Sequence, residues 1–335
     1  MGAPMRHPFR TAAFVLVVVG LLAAAWVRIP YYALGPGPAQ SVTPLIDYAN
    51  DEPRYEPTGQ LVMTTVRYYQ LSPLTALWAW VDPDLSVIPR SDLFEPGVPE
   101  DVQNQRSISQ MDQSKIDATA LVLKELDGYP KEHGRGALVE STVPDCPADG
   151  QLFPGDVIVA IDGRPVGSVR DASKAIQAAR PGQALDFRVN VDGTIEHARF
   201  TRRRCVANDP RRLVGVSLLN PFPFEVSIAS AKVGGPSAGL MWALGLYELM
   251  TPGDLTAGRR IAGTGTIDPR TGAVGPIGGI RDKVIAAEKA GASVFLAPAD
   301  NMAELQKVDT GGMRVFSVSS FDDALKDLGA DGTSA

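Results

Sequence analysis

Histidine is nearly absent from this chain. The three are His7, His133 and His197. A serine beyond them therefore lacks the downstream imidazole that a Ser–His–Asp nucleophile elbow requires. Cysteine is rarer still, with Cys146 and Cys205 alone. No cluster of Cys, His and carboxylates has metal-ligand spacing, so no metal is expected. No Gly-x-x-x-x-Gly-Lys-Ser/Thr run occurs, which removes a P-loop nucleotide site, and no cofactor is expected. The one basic run is Arg202-Arg203-Arg204 in a chain of net charge −6, which argues against a nucleic-acid partner.

What is present can build real cores. The 335 residues are 44% hydrophobic and 21% charged, enough for roughly two domains and an appendage. The appendage is the apolar run Thr11–Val27, preceded by Arg6 and Arg10 and followed by Arg28. It reads as a membrane span with its N-terminus in the cytoplasm and the body outside, or as a signal peptide cut after Ala23-Ala24-Ala25. Trp26, Tyr31 and Tyr32 suit an interfacial belt, which favours the uncleaved anchor over residues 1–30. In either reading Cys146 and Cys205 lie where disulfides persist, and the sequence leaves both a bridge and two buried thiols open.

Pro30–Pro44 reads as a stem, Gly59–Tyr69 as a strand, Leu74–Val81 as helix or strand, and Asp82–Val102 as a loop. Ser107–Leu126 places Ile116, Ala120, Leu123 and Leu126 on one helical face. From Gly134 short strands and turns take over, with one helix at Val169–Ala179. Residues 206–223 read as loop. Strands and helices then alternate to Leu328, including Ser237–Leu249 and Ile280–Ala290 as helices.

Within 134–205, the runs Ala148-Asp149-Gly150, Leu152-x-Pro154-Gly155-Asp156-Val157-Ile158 and Asp162-Gly163 resemble a PDZ domain. That resemblance implies that Gly136, Ala137, Leu138 and Val139 hold a peptide carboxylate on their backbone N–H groups, beside the helix at Val169–Ala179. A β-rich spacer that binds nothing stays open.

Val233–Leu240 sets Ser237 among glycines at the mouth of an apolar helix. There it is either an N-cap or a nucleophile with backbone N–H groups at hand. Without histidine, its base must be another group, and a desolvated lysine can serve. Lys232, Lys283 and Lys289 are the lysines near it. Lys283 shares a helical face with Ile280, Val284 and Ala287, although an ammonium that snorkels to water is the commoner state of such a residue.

Gly235-Pro236-Ser237-Ala238-Gly239, Gly263-Thr264-Gly265 and Pro276-Ile277-Gly278-Gly279-Ile280-Arg281-Asp282-Lys283 together resemble the proteolytic domain of Lon-type proteases. The resemblance implies Ser237 as nucleophile, Lys283 as general base, and Thr264, Gly235 and Pro236 in support. Gly234 departs from it, standing where many of these proteases carry an acidic residue. The helix ending at Leu126 resembles one that precedes the active-site strand in that domain.

The expected fold is therefore an α/β (α+β) Lon-type proteolytic domain, split into 31–133 and 206–330, with a β-rich PDZ domain inserted at 134–205 and a transmembrane helix in front. The arrangement resembles bacterial membrane-anchored PDZ-containing Lon-like proteases that lack the ATPase. It implies an ATP-independent endopeptidase acting on polypeptides at the extracytoplasmic membrane face, and the family's rings imply a homo-oligomer. The competing expectation is an inactive PDZ scaffold at the membrane.

Overall fold

The computed structural model describes residues 8–49, 53–126, 128–230 and 233–332; Arg6, His7 and Lys232 lie outside them. In chain order the first elements are α1 (Pro8–Trp26), β1 (Tyr31–Ser41), β2 (Ile46–Tyr48), β3 (Gln60–Gln70), α2 (Pro73–Val81), β4 (Ser86–Pro89), α3 (Arg90–Leu93) and α4 (Glu100–Leu126). Then come β5 (Ala137–Thr142), β6 (Val157–Ile161), β7 (Arg164–Pro165), α5 (Val169–Ala178), β8 (Ala184–Val191), β9 (Thr194–Thr201) and β10 (Val216–Leu219). The last third holds β11 (Val226–Ile228), α6 (Gly239–Met250), β12 (Arg260–Gly263), β13 (Thr266–Ile267), β14 (Val274–Gly275) and α7 (Ile280–Lys289). It closes with β15 (Val294–Pro298), α8 (Met302–Leu305), β16 (Arg314–Val318) and α9 (Phe321–Gly332).

The main sheet has the order β16-β15-β12-β3-β1-β4. Its centre joins distant chain segments, because β3 pairs in parallel with β12, Leu61 opposite Ile261. Strands on both sides of residues 137–219 therefore share one sheet. Period-two alternation divides its side chains between two cores. Leu61, Met63, Ile261, Val294 and Leu296 face α4, α6 and α9, while Val62, Ala262, Phe295 and Ala297 face α7 and α8. α6 is apolar nearly all round, Glu248 excepted, because it is buried nearly all round, with Trp242 fully enclosed.

The expected stem is instead β1. Its prolines are tolerated because the register with β3 slips between Pro36 and Ala39, a bulge at which proline removes no ladder bond. Gly37 is needed beside it, since a Cβ there would lie 2.8 Å from the Thr65 carbonyl carbon. The 82–102 loop contains β4, α3 and the first turn of α4, so the long helix begins well before Ser107.

The expected membrane span over Thr11–Val27 is not supported: among the described residues, no helix is long and apolar enough to cross a membrane. α1 ends at Trp26, and its apolar run begins only after Arg10, short of the roughly 20 residues that a bilayer core takes.

The second sheet has the order β10-β5-β6-β8-β9, with β7 paired to β6. It has its own core around Phe187, Ile158 and Leu152, which α5 helps to cover through Ala172. Cys146 and Cys205 are joined by a disulfide, with their Cα atoms 5.1 Å apart. Gly215 lies against that bridge with φ +77°, and a Cβ there would sit 2.1 Å from Cys146 Cβ. Only glycine fits this approach, and it leads directly into β10.

Candidate active site

Ser237 lies in the turn before α6. The helix N-cap is Ala238, and no side chain caps it, so Ser237 is not a cap. Its turn is held from behind by α4. Gly235 N–H donates to the Ser107 carbonyl at 2.8 Å, and the Ser114 hydroxyl donates to the Pro236 carbonyl at 3.1 Å. Gly234 presses on the same helix: a Cβ there would fall 2.3 Å from Ser107 Oγ and 3.3 Å from its carbonyl carbon. A side chain at 234 requires the Ser107 hydroxyl to turn away and the helix to yield by a few tenths of an ångström, which favours the glycine.

Lys283 enters from the opposite face of the main sheet. α7 starts at Gly279, whose φ of 69° permits a sharp entry. The Lys283 side chain is only 3% exposed, on the buried face with Ile280, Val284 and Ala287. Its Nζ lies 2.6 Å from Ser237 Oγ and 2.9 Å from Thr264 Oγ1. Burial disfavours the ammonium and brings its pKa down to about 7. Lys289, at the outer end of the same helix, pairs with Asp84 on the surface.

Thr264 closes the arrangement. Its hydroxyl donates to the Ser237 carbonyl at 2.9 Å while accepting from Lys283. Gly265 N–H donates to the same carbonyl at 2.8 Å. Ser237 is thereby pinned to the end of β12 through its backbone, which leaves its hydroxyl for the lysine. Among the described residues, the N–H groups of Ser237 and Ala238 donate to no acceptor. The structure brings together Ser237, Lys283, Thr264, Gly235 and Pro236. Of the remaining histidines, His197 pairs with Asp186 across β8 and β9, and His133 contacts the Gly134 carbonyl; neither meets Ser237.

Gly136–Val139 behaves otherwise. Leu138 and Val139 pair with Leu219 and Leu218 of β10 on one side, and Ala137 and Leu138 pair with Ile158 and Val157 of β6 on the other. β5 is an inner strand with both edges occupied, and Ala137 and Val139 are fully buried. A peptide cannot add there, which corrects the expected placement. The sheet edge on that side is β10, within what read as loop. Val169 N–H donates to Asn220 Oδ1 at 3.0 Å, tying the start of α5 to the end of β10.

Sequence reading also missed what joins the two sheets. Arg106 of α4 pairs with Asp145 and Asp149 of the second region. A cavity of about 360 Å³ lies between α4 and that region, lined by Arg106, Gln110, Gln113, Asp149 and Phe153 among others. Asp117 of α4 meets Glu140 of β5, both buried, and Ser217 of β10 donates to Glu140. Burial first, and the Glu140 charge next, push the Asp117 carboxyl well above its usual range. Ser107 and Ser114, seven apart on one helix, were a readable signal of a polar face. Asp117 and Glu140 carried no local signal, because their contact exists only across the fold.

Comparison with known families matches these two regions. Residues 227–329, which contain Ser237, Thr264 and Lys283, match the Lon protease (S16) C-terminal proteolytic domain. Residues 108–200 match the PDZ domain; that match begins within α4. The Lon protease of Lachnoclostridium phytofermentans is 37% identical over 110 residues, 32% of this chain and 13% of that protein. The Lon protease of Campylobacter concisus is 37% identical over 125 residues, 36% of this chain and 15% of that protein. Lon protease 2 of Herpetosiphon aurantiacus is 38% identical over 139 residues, 41% of this chain and 16% of that protein. This chain thus spans a small fraction of these relatives. Among solved structures, the PDZ domain of an SdrC-like protein from Listeria innocua is 26% identical, covering 25% of this chain and 92% of that one, with a TM-score of 0.22. By the family matches, residues 227–329 are similar to the Lon proteolytic domain and residues 108–200 to a PDZ domain.

Proposed function

We propose that this chain is an ATP-independent serine endopeptidase in which Ser237 is the nucleophile and Lys283 the general base. The observation that carries this reading is a lysine Nζ, 3% exposed, 2.6 Å from the hydroxyl of a serine. Neutral Lys283 accepts the proton of Ser237 Oγ as that oxygen attacks the peptide carbonyl. The N–H groups of Ser237 and Ala238 receive the developing oxyanion. Lys283 then passes the proton to the departing amine, leaving an acyl-enzyme on Ser237. Water attacks this ester, gives a proton to Lys283 and releases the acid, and Ser237 regains its proton. Thr264 orients the lysine throughout.

The PDZ region is a module inserted between two parts of the protease, and it selects substrate. A peptide adds as a strand to the outer edge of β10, beside α5, and its continuation reaches Ser237 past α4. The substrates are unfolded or C-terminal polypeptide segments. The body works at the extracytoplasmic face of the membrane, with the apolar α1 in contact with lipid.

The test compares degradation of an unfolded protein by the full chain, Ser237→Ala and Lys283→Ala. Each variant loses at least about 10⁴-fold in kcat. Equal degradation by all three overturns the dyad, and no degradation by any of them leaves only a peptide-binding scaffold. The pH profile adds a sign. Lys283 must be deprotonated to act and its pKa is held at about 7, so activity rises as pH passes upward through about 7. A limb near the ordinary lysine range, or a flat profile, removes Lys283 from the base role.

A further inference from the structure

α2 is built inside out. Its small residues Ala76 and Ala79 face the body, packed on Ala33, Leu71 and Leu85. Its large ones face outward: Leu77 is 63% exposed, Trp78 73%, Trp80 83% and Val81 70%. Pro73–Val81 contains no charged residue. A helix on a water-facing surface shows the reverse order, with large apolar groups inward and charges outward.

The helix is nevertheless locally specified. Ser72 accepts from the Thr75 backbone and Thr75 returns the bond, a complete capping box, with Pro73 in the first turn. Its position is specified as well. Ile29 N–H donates to the Leu71 carbonyl at 2.9 Å, Arg28 donates to the Gln70 carbonyl, and Gln70 donates back to the Ile29 carbonyl. These bonds clamp the entry of α2 to the exit of α1. From Phe14 to Trp26, α1 exposes large apolar side chains along its whole length.

We propose that α2 is a lipid-docking helix: Leu74, Leu77, Trp78 and Val81, with Trp80 at their flank, lie in the headgroup–acyl boundary and seat the catalytic body on the bilayer. This rests on the membrane reading above. Lipid is the occupant that fits both helices at once. A protein partner covers one face, whereas α1 needs an apolar medium around it, and the α2 surface continues that of α1. Tryptophan at the point where an apolar helix meets a folded body matches interfacial chemistry.

The seating extends to the active site. Directly after α2, the Pro83 carbonyl accepts from Arg281, Ser86 meets Arg281, and Asp84 pairs with Lys289. Arg281 and Lys289 bracket Lys283 on α7. A docked α2 therefore holds the Ser237–Lys283 pair at a set height above the lipid, and the favoured substrates are polypeptide segments at the bilayer surface.

The experiment uses the full chain with Trp26→Phe, which leaves Trp78, Trp80 and the buried Trp242. It is mixed with phosphatidylethanolamine–phosphatidylglycerol vesicles brominated near the headgroup. Tryptophan emission is expected to fall about twofold, since the two exposed indoles lie at that depth. Leu77→Glu with Trp78→Glu lowers vesicle partitioning by about tenfold or more and leaves cleavage of a short soluble peptide unchanged. Flotation with the vesicles but without quenching, and equal partitioning of the variant, overturns α2 docking and spares the membrane reading. Failure to float at all overturns both. Lipid-free self-association that the double substitution abolishes assigns the face to a second copy and also overturns the proposal.

Discussion

The catalytic region and the PDZ region use their residues in different ways. In the first, function depends on side-chain atoms. Ser237, Thr264 and Lys283 come from three separate segments, and the candidate site is one hydroxyl in contact with one buried lysine amine. In the second, the proposed recognition would rest on backbone, the outer edge of β10 beside α5, where almost any residue serves. The catalytic region is also held by an extensive core that wraps α6. The PDZ region has a smaller core and a covalent staple. Chemistry that needs a particular atom constrains residue identity; chemistry that needs an edge constrains only pairing.

The strongest way to separate the two regions is through the staple. The Cys146–Cys205 bridge closes a segment with a sequence separation of 59. Replacing both cysteines by serine is expected to cost the PDZ region about 2–4 kcal/mol, read as an early transition in chemical denaturation. Hydrolysis of a short peptide that needs no PDZ contact should persist while protein degradation falls. Parallel loss of both would mean that the regions are one cooperative unit, and the contrast would fail.

A second test sharpens the catalytic half. Gly234→Asp forces a side chain into Ser107 and displaces the turn that presents Ser237. A displacement of about 1 Å there corresponds to roughly 100-fold in kcat. Adding Ser107→Gly should recover part of that loss, and the coupling of the pair is measured by a double-mutant cycle. Additive losses would show that position 234 acts through something other than α4.

The same contrast governs what could be read from sequence. Ser237 and Lys283 are legible from the missing histidine, the apolar face that carries the lysine and the Lon-type motifs around both, whereas Thr264 is legible only through the resemblance. The β-branched and aromatic content of Gly59–Tyr69 made β3 legible. β10 was not, because Val216–Leu219 is a four-residue run between Gly215 and Asn220-Pro221 and gains its strand character only by pairing with β5. The assignment of Gly136–Val139 failed for the same reason: whether a strand is an edge depends on what pairs with it. The expected stem failed because prolines mark a loop locally, whereas a bulge in β1 absorbs them.

The junction offers the smallest and finest test. Asp117 reaches from α4, which holds the Ser237 turn, to Glu140 on β5, so this buried pair spans both regions. The carboxyl of Asp117 titrates above its unfolded value, so between those two values the folded chain binds more protons than the unfolded one. Stability therefore falls as pH rises from the ordinary carboxylate range toward alkaline conditions. Asp117→Asn removes the charge that burial and Glu140 oppose. It should raise stability at pH 8 by about 1–2 kcal/mol and change little at pH 4, as read by thermal unfolding at both values. If the two regions melt separately, the gain should appear in both transitions, because the pair belongs to each. A gain confined to the PDZ transition would show that α4 holds the Ser237 turn without help from the junction, and the catalytic half would then stand alone.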